Sequence, residues 1–387
     1  MVNPEILLWL LLPLAAVSGW LAARFEYRRN AAKQLDLPSA YFQGLNFLLN
    51  EQPDKAIEIF IRVLEVNSDT VETHLALGNL FRRRGEVERA IRVHQNLIAR
   101  PTLDKEQRSQ ALLELGQDYF KAGLFDRAEN LFLELAEIRA HSEQALTLLR
   151  HIYQQEKEWE KAANVTRKLA RVSGRNLDTV IAHYYCELAE QVFAKKNIII
   201  ARAYVKQAFD NDPRCLRASI LLGDIEAAEG NDREAIQAWR QVEEQDAHYL
   251  GEVAGRIAEG FRRLKDEQGL YDYFRTALQR YGGVALALTF ADIIRQRDGV
   301  DAAQKFVVDW LRRKPGVHGL HQLLALNLEK AKDSARADLL LLKGIIEELR
   351  AQHLGYACGE CGFKGKSLHW QCPGCNRWNT IKPVQEY

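Results

Sequence analysis

Residues 77–98, "LGNLFRRRGEVERAIRVHQNLI", and residues 115–136, "LGQDYFKAGLFDRAENLFLELA", are one template written twice. A small residue is followed three places on by an aromatic. Twelve places after the small residue comes Ala, and four further a bulky side chain. Gly78, Phe81, Ala90 and His94 make one copy; Gly116, Tyr119, Ala128 and Phe132 the next. Gly44, Phe47, Ala56 and Phe60 precede both, and Gly223, Glu226, Ala235 and Trp239 come later. Arg150, Tyr153, Ala162 and Thr166 keep the spacing without the small residue, and Ala189, Val192, Ala201 and Val205 keep it more weakly. The step from Gly44 to Gly78 is 34 residues, as is that from Ala201 to Ala235. This is the tetratricopeptide period. Physically, Gly and Ala let two antiparallel helices approach, and the larger residues fill the space against the next pair. One pair cannot bury its apolar face alone, so the copies stack into a solenoid. Beyond Ala247 the template decays, although helix pairs still read through Pro315 and in "HQLLALNLEK" and "ADLLLLKGIIEELR".

The polar residues beside the small-residue marker are expected to line a groove on the first helices. They are Asn79, Arg82, Gln117, His151, Gln154, Glu190 and Asp224. Such a surface suits an extended peptide or a partner protein.

Outward from the array, the two ends differ. Ile6 to Ala23 is an apolar run broken only by Pro13, Ser18 and Gly19. As a helix it spans roughly 27 Å, one hydrocarbon core. Glu5 precedes it, and Arg24, Arg28, Arg29 and Lys33 follow. That order lacks the basic start of a cleaved signal peptide. It predicts a single-pass anchor with the N-terminus outside and the body in the cytoplasm. A reducing compartment then favours metal over disulfides for cysteine.

Four of the six cysteines lie in "CGECGFKGKSLHWQCPGC", residues 358–375. Two C-x-x-C knuckles, Cys358/Cys361 and Cys372/Cys375, can bring four thiolates to one tetrahedral ion, iron or zinc. Gly359, Gly362, Gly374 and Pro373 suit the tight turns, and Trp370 and Trp378 are placed to cover the site or dock it on the helices. With all four positions taken by thiolates, no place remains for a water nucleophile. Cys186 and Cys215 read as buried thiols in helices.

The expected fold is all-α: a tetratricopeptide solenoid with an N-terminal transmembrane helix and a small four-cysteine domain of rubredoxin or zinc-ribbon type. The expected divisions are residues 1–24 (anchor), 25–38 (juxtamembrane linker), 39–317 (repeats), 318–352 (helix pair) and 353–387 (metal-binding domain). The net charge of +1 gives no field for nucleic acid. "GKS" at 365–367 lacks the spaced glycine of a phosphate loop, and His318 and His321 lack a further ligand in sequence. No catalytic residue is assigned, and the chain reads as a non-enzyme. Two other readings of the knuckles are a rubredoxin-like electron carrier and a nucleic-acid-binding zinc ribbon.

The order of anchor, repeats and knuckles, with "GLNFLLNEQPDKAIEIF" (44–60), "HLALGNLFRRRGEVERAIRVHQ" (74–95) and "CPGCNRWNTIKP" (372–383), resembles the lipopolysaccharide assembly protein B family over essentially the whole chain. The resemblance implies a Gram-negative inner-membrane adaptor that regulates lipid A synthesis; self-association into homo-oligomers is left open by the sequence. Such an adaptor would present the committed-step deacetylase LpxC to the membrane protease FtsH and scaffold other lipopolysaccharide-synthesis proteins. The family's rubredoxin-type ligands map onto Cys358, Cys361, Cys372 and Cys375. Asn376 stands where rubredoxins carry Gly after the second knuckle, and Asn can still take the left-handed turn.

Overall fold

A computed structural model of the chain describes residues 17, 20, 24, 42–50, 52–66, 71–352 and 354–384. The expected anchor and juxtamembrane linker lie outside the described residues, apart from Val17, Trp20 and Arg24. Among the described residues no helix is long and apolar enough to cross a membrane.

The chain divides into two compact units, Met1–Ile152 and Tyr153–Tyr387. The first holds α1 (42–49), α2 (Pro53–Val66), α3 (Val71–Arg83), α4 (Val87–Ile98), α5 (Lys105–Lys121) and α6 (Phe125–Glu137), and most of α7 (Ser142–Gln155). The second continues with α8 (Trp159–Ser173), α9 (Asp178–Ala194), α10 (Ile198–Asn211), α11 (Leu216–Glu229), α12 (Asp232–Arg240) and the short α13 (Val242–Gln245). A 3-10 turn (Ala247–Tyr249) leads to α14 (Leu250–Arg263), α15 (Glu267–Tyr281), α16 (Val284–Asp298), α17 (Val300–Arg313), α18 (Val317–Lys330) and α19 (Asp333–Gln352). Three short strands close the chain: β1 (Tyr356–Cys358), β2 (Lys364–Gly365) and β3 (Ile381–Pro383).

The template residues explain the pairing. A Cβ on Gly44 would lie 2.6 Å from the Phe60 ring, and one on Gly116 would lie 2.5 Å from Phe132. The same overlap arises at Gly78 with His94 and at Gly223 with Trp239. The bulky residue therefore sits on the glycine of its own pair, and only a missing Cβ leaves room for an aromatic ring. Where the small residue is Ala189, the partner position carries the smaller Val205, and both are buried. Small and large trade volume so that helix spacing is kept.

Seven residues after the marker, the turn between paired helices needs a left-handed residue. Gly85, Gly123, Lys157, Lys196, Gly230 and Lys265 all take it, with φ between 58° and 84°. The sixth turn reveals a copy the strict template misses: Ala258, Phe261, Leu270 and Phe274, with Leu where Ala is expected. Ala258, Leu270 and Phe274 are buried in one core, against which Phe261 packs. Ala291, Ile294, Ala303 and Val307 continue the spacing and are buried in that same core. The repeat thus runs past Ala247; its residue types relax before its geometry does.

His94 fills the bulky slot with a polar ring. Its Nδ1 lies 2.5 Å from Asp118 Oδ2, and both side chains are fully buried. Arg82 donates to Asp118 Oδ1 (2.7 Å), Glu114 Oε2 (2.6 Å) and Asn79 Oδ1 (2.7 Å), so α3, α4 and α5 share one network. Such a buried network is no strong source of stability, because desolvating the charges offsets much of their attraction. In the second unit Cys186 and Cys215 are both buried with sulfurs 3.9 Å apart, and burial pushes the Cys186 thiol well up.

Candidate metal centre and its seat on the helices

The strands pair in the order β2–β1–β3, both pairings antiparallel, with Tyr356 opposite Gly365 and Pro383. This small sheet holds two matching loops. In the first, Gly362 N–H donates to the Cys358 carbonyl (3.1 Å), and Cys358 N–H to the Phe363 carbonyl (2.7 Å). In the second, Asn376 N–H donates to the Cys372 carbonyl (2.8 Å), and Cys372 N–H to the Arg377 carbonyl (2.9 Å). Gly362 and Asn376 occupy equivalent left-handed positions, φ 75° and 56°. Asn376 thus makes the turn that glycine makes in the first loop. Gly374 is needed for closeness, since a Cβ there would press on Cys361 Sγ at 3.2 Å.

The four sulfurs lie within 4.8 Å of one another. Cys358 and Cys375 are 3.8 Å apart, and Cys361 and Cys372 are 3.6 Å apart. A tetrahedral ion with metal–sulfur bonds near 2.3 Å requires sulfur separations of about 3.8 Å, so the residues fit such an ion. The thiols also need one. Thr380 Oγ1, 3.3 Å away, and the backbone N–H groups of Cys361 and Glu360 pull the Cys358 thiol down to about 6. At Cys361 the Phe363 N–H acts in the same direction, but desolvation and the neighbouring sulfurs outweigh it and push the thiol up to about 12. One thiolate forms readily; four together require a cation.

The knuckle seats on helices of its own unit. Trp378 stacks on His183 (5.3 Å, 24°) and meets Tyr184 (5.6 Å) and Trp159 (6.1 Å) edge-on. Trp370 stacks on Tyr249 (6.0 Å, 13°), lies 5.9 Å from the His183 ring, and has the Arg217 guanidinium 5.8 Å from its centroid. Polar contacts fasten the edge: Tyr249 OH donates to the Ile381 carbonyl (2.6 Å), Tyr356 OH to Glu252 (2.7 Å) and Lys382 to Asp246 (3.0 Å). The seat comes from α8, α9, α11, the 3-10 turn and α14. Trp370 and Trp378 dock on the helices as the sequence leads one to expect, but the sequence does not point to this seat. Its only local signal is the aromatic run "HYY" at 183–185, and nothing local ties that run to tryptophans far along the chain.

The expected groove residues are mostly engaged within the chain. Asn79 and Arg82 belong to the buried network of the first unit. Gln117 and His151 are half-buried, and burial with the charge of Arg150 lowers the His151 imidazole. Gln154 donates to Tyr184 OH (2.7 Å), Glu190 pairs with Arg217 (2.8 Å), and Asp224 accepts from Trp239 (3.1 Å) and Arg256 (2.9 Å).

His183 gives the seat a pH dependence. Burial, then the charge of Arg217, lowers its imidazole to about 3, and its Nδ1 is buried without a partner. The folded seat holds the neutral ring, whereas the unfolded chain takes up a proton near pH 6.5. Stability therefore falls as pH drops below 6.5, by about 2 kcal/mol between pH 7 and pH 5 from this group. Denaturant titrations at both pH values check this; His183→Phe removes most of the slope difference, while a metal-thiolate origin would leave it intact.

The comparisons agree with this architecture. A family described as rubredoxin metal binding domain matches residues 356–383, and tetratricopeptide repeat families match 73–109 and 197–249. Lipopolysaccharide assembly protein B of Escherichia coli K12 is 37% identical over 381 residues, 98% of each chain. The Haemophilus influenzae protein of the same name is 34% identical over 392 aligned positions, again 98% of each. With a tetrathiolate knuckle seated on stacked helix pairs and this likeness from end to end, the chain belongs to the lipopolysaccharide assembly protein B family.

Proposed function

We propose that this protein is an inner-membrane adaptor that controls lipopolysaccharide synthesis by bringing the deacetylase LpxC to the protease FtsH. The observation that carries this is the likeness to lipopolysaccharide assembly proteins over 98% of the chain. The repeat array supports it as a docking scaffold. A site with four sulfur ligands supports it too, because a filled tetrahedral shell acts as a structural clip and leaves no position for a reacting water. Residues 6–23 anchor the chain, with the N-terminus periplasmic and the body cytoplasmic. Confinement to the bilayer raises its effective concentration for other membrane-bound partners. Clients dock along the first helices, at Asn79, Arg82, Gln117 and His151 in the first unit and beside the knuckle at Gln154, Glu190 and Asp224 in the second. When bound, the ion, zinc or iron, crosslinks the two knuckle loops.

The test compares LpxC half-life in cells depleted of the native protein and supplied with the full chain or with residues 25–387. Rapid LpxC turnover returns with the full chain and not with the truncation. Equal rescue by both defeats the tether, and no change in turnover with the full chain defeats the adaptor reading.

A further inference from the structure

A cleft of about 620 Å³ opens between the knuckle and the last helices of the second unit. Lys314 reaches it from the end of α17, Arg350 from the last turn of α19, and Lys366 from the knuckle after β2. Among the described residues none of these three has a carboxylate within ion-pair distance, and Arg350 Nε is buried with no hydrogen-bond partner. Among the described residues the lining has one carboxylate, Glu252, and it already accepts a hydrogen bond from Tyr356. Among the described residues, three cationic side chains thus share the cleft with one hydrogen-bonded acid.

The cleft floor adds to the imbalance. Gly282 and Gly283, both at positive φ, lead into α16, and both line the cleft. No side chain caps that helix and no acidic residue sits in its first turn. Its leading N–H groups therefore carry partial positive charge without an internal partner. Lys314 Nζ lies 3.5 Å from where a Gly282 Cβ would be, which sets the ammonium over this turn. Tyr281, Leu250 and Val384 supply apolar wall, and the volume is that of a small-molecule site.

We propose that this cleft binds a phosphate-bearing anion, a diphosphate or phosphodiester group on a small organic body. Lys314 and Arg350 hold it from the helices, Lys366 from the knuckle, and the N–H groups opening α16 from below. Because the cations come from both sides of the seam, bound anion fastens the knuckle to its seat. The site is independent of the adaptor role.

Isothermal titration of the full, metal-loaded chain in neutral detergent tests this with two probes: inorganic pyrophosphate, and a short-chain phosphatidylglycerol below its micelle concentration. Binding to at least one is expected, weakened about tenfold by each of Lys314→Gln and Lys366→Gln and untouched by Lys195→Gln, an exposed position elsewhere. Pyrophosphate binding assigns the site to soluble phosphates; binding of phosphatidylglycerol alone, with the same variant sensitivity, assigns it to a lipid headgroup. No binding of either probe, or binding indifferent to both Lys314→Gln and Lys366→Gln, overturns the proposal.

Discussion

Cys361→Ser releases the C-terminal knuckle while leaving the helical units folded. Cys361 is exposed, so the substitution creates no cavity and removes little besides a metal ligand. Its effect is large because the knuckle has almost no core of its own: Cys358, Cys372 and Ile381 are its buried cluster, and two of these are ligands. A unit of this size depends on its ion, and a structural tetrathiolate ion supplies on the order of 10 kcal/mol of folding free energy. With three thiols, a shell built for four binds far more weakly, and the loops open. Trp370 and Trp378 then leave Tyr249 and His183, so tryptophan emission shifts to the red. Proteolysis cuts near residues 354–356. Far-UV dichroism keeps its helical signal, because the second unit's core, including Phe274, Ile257 and Trp239, lies in the helices. Chelation of the native protein gives the same three signals whether the ion is zinc or iron. A chelated chain that keeps Trp378 buried and Trp370 stacked on Tyr249 contradicts this account.

Trp378→Ala separates seating from folding of the knuckle. Trp378 is 9% exposed and its ring touches Trp159, His183 and Tyr184. Truncating a buried tryptophan costs about 3–5 kcal/mol, and most of this cost falls on the contact between knuckle and helices. The ligands are untouched, so metal content stays at one ion per chain. Amide exchange rises in the knuckle strands and around His183 on α9, with the remainder of the second unit little changed. Trp378→Phe recovers part of the protection, since a ring still stacks on His183. Unaltered exchange in Trp378→Ala places the holding energy in the edge contacts of Tyr249, Tyr356 and Lys382. Loss of metal places it in the knuckle itself.

The repeat was legible because its spacing and its residue types agree in several copies. The copy at Ala258 was not, because Leu270 replaces the expected Ala; the Lys265 turn is no obstacle, since Lys157 and Lys196 make the same left-handed turn in copies that were read. Its geometry survives because stacked neighbours tolerate a change of residue when volume and turn are kept. The four-cysteine cluster was legible because two C-x-x-C pairs impose their own local turns, and Asn376 took the left-handed conformation its chemistry allows. The groove residues were chosen by position alone. Sequence position does not tell whether a polar group faces solvent or a partner, and Arg82, Glu190 and Asp224 proved to be engaged within the chain.

Sequence alone determined what local spacing can encode: helix pairs joined through a glycine and a ring, and four cysteines on two turns. Tertiary structure decided where those pieces meet. His183 and Trp378 are 195 residues apart, and Lys314, Arg350 and Lys366 come from three different elements. No periodicity links such residues. Only the stacking of the helices brings the seat, the knuckle and the cationic cleft into one place, because burial of aromatic surface is non-directional and takes its address from the packed fold.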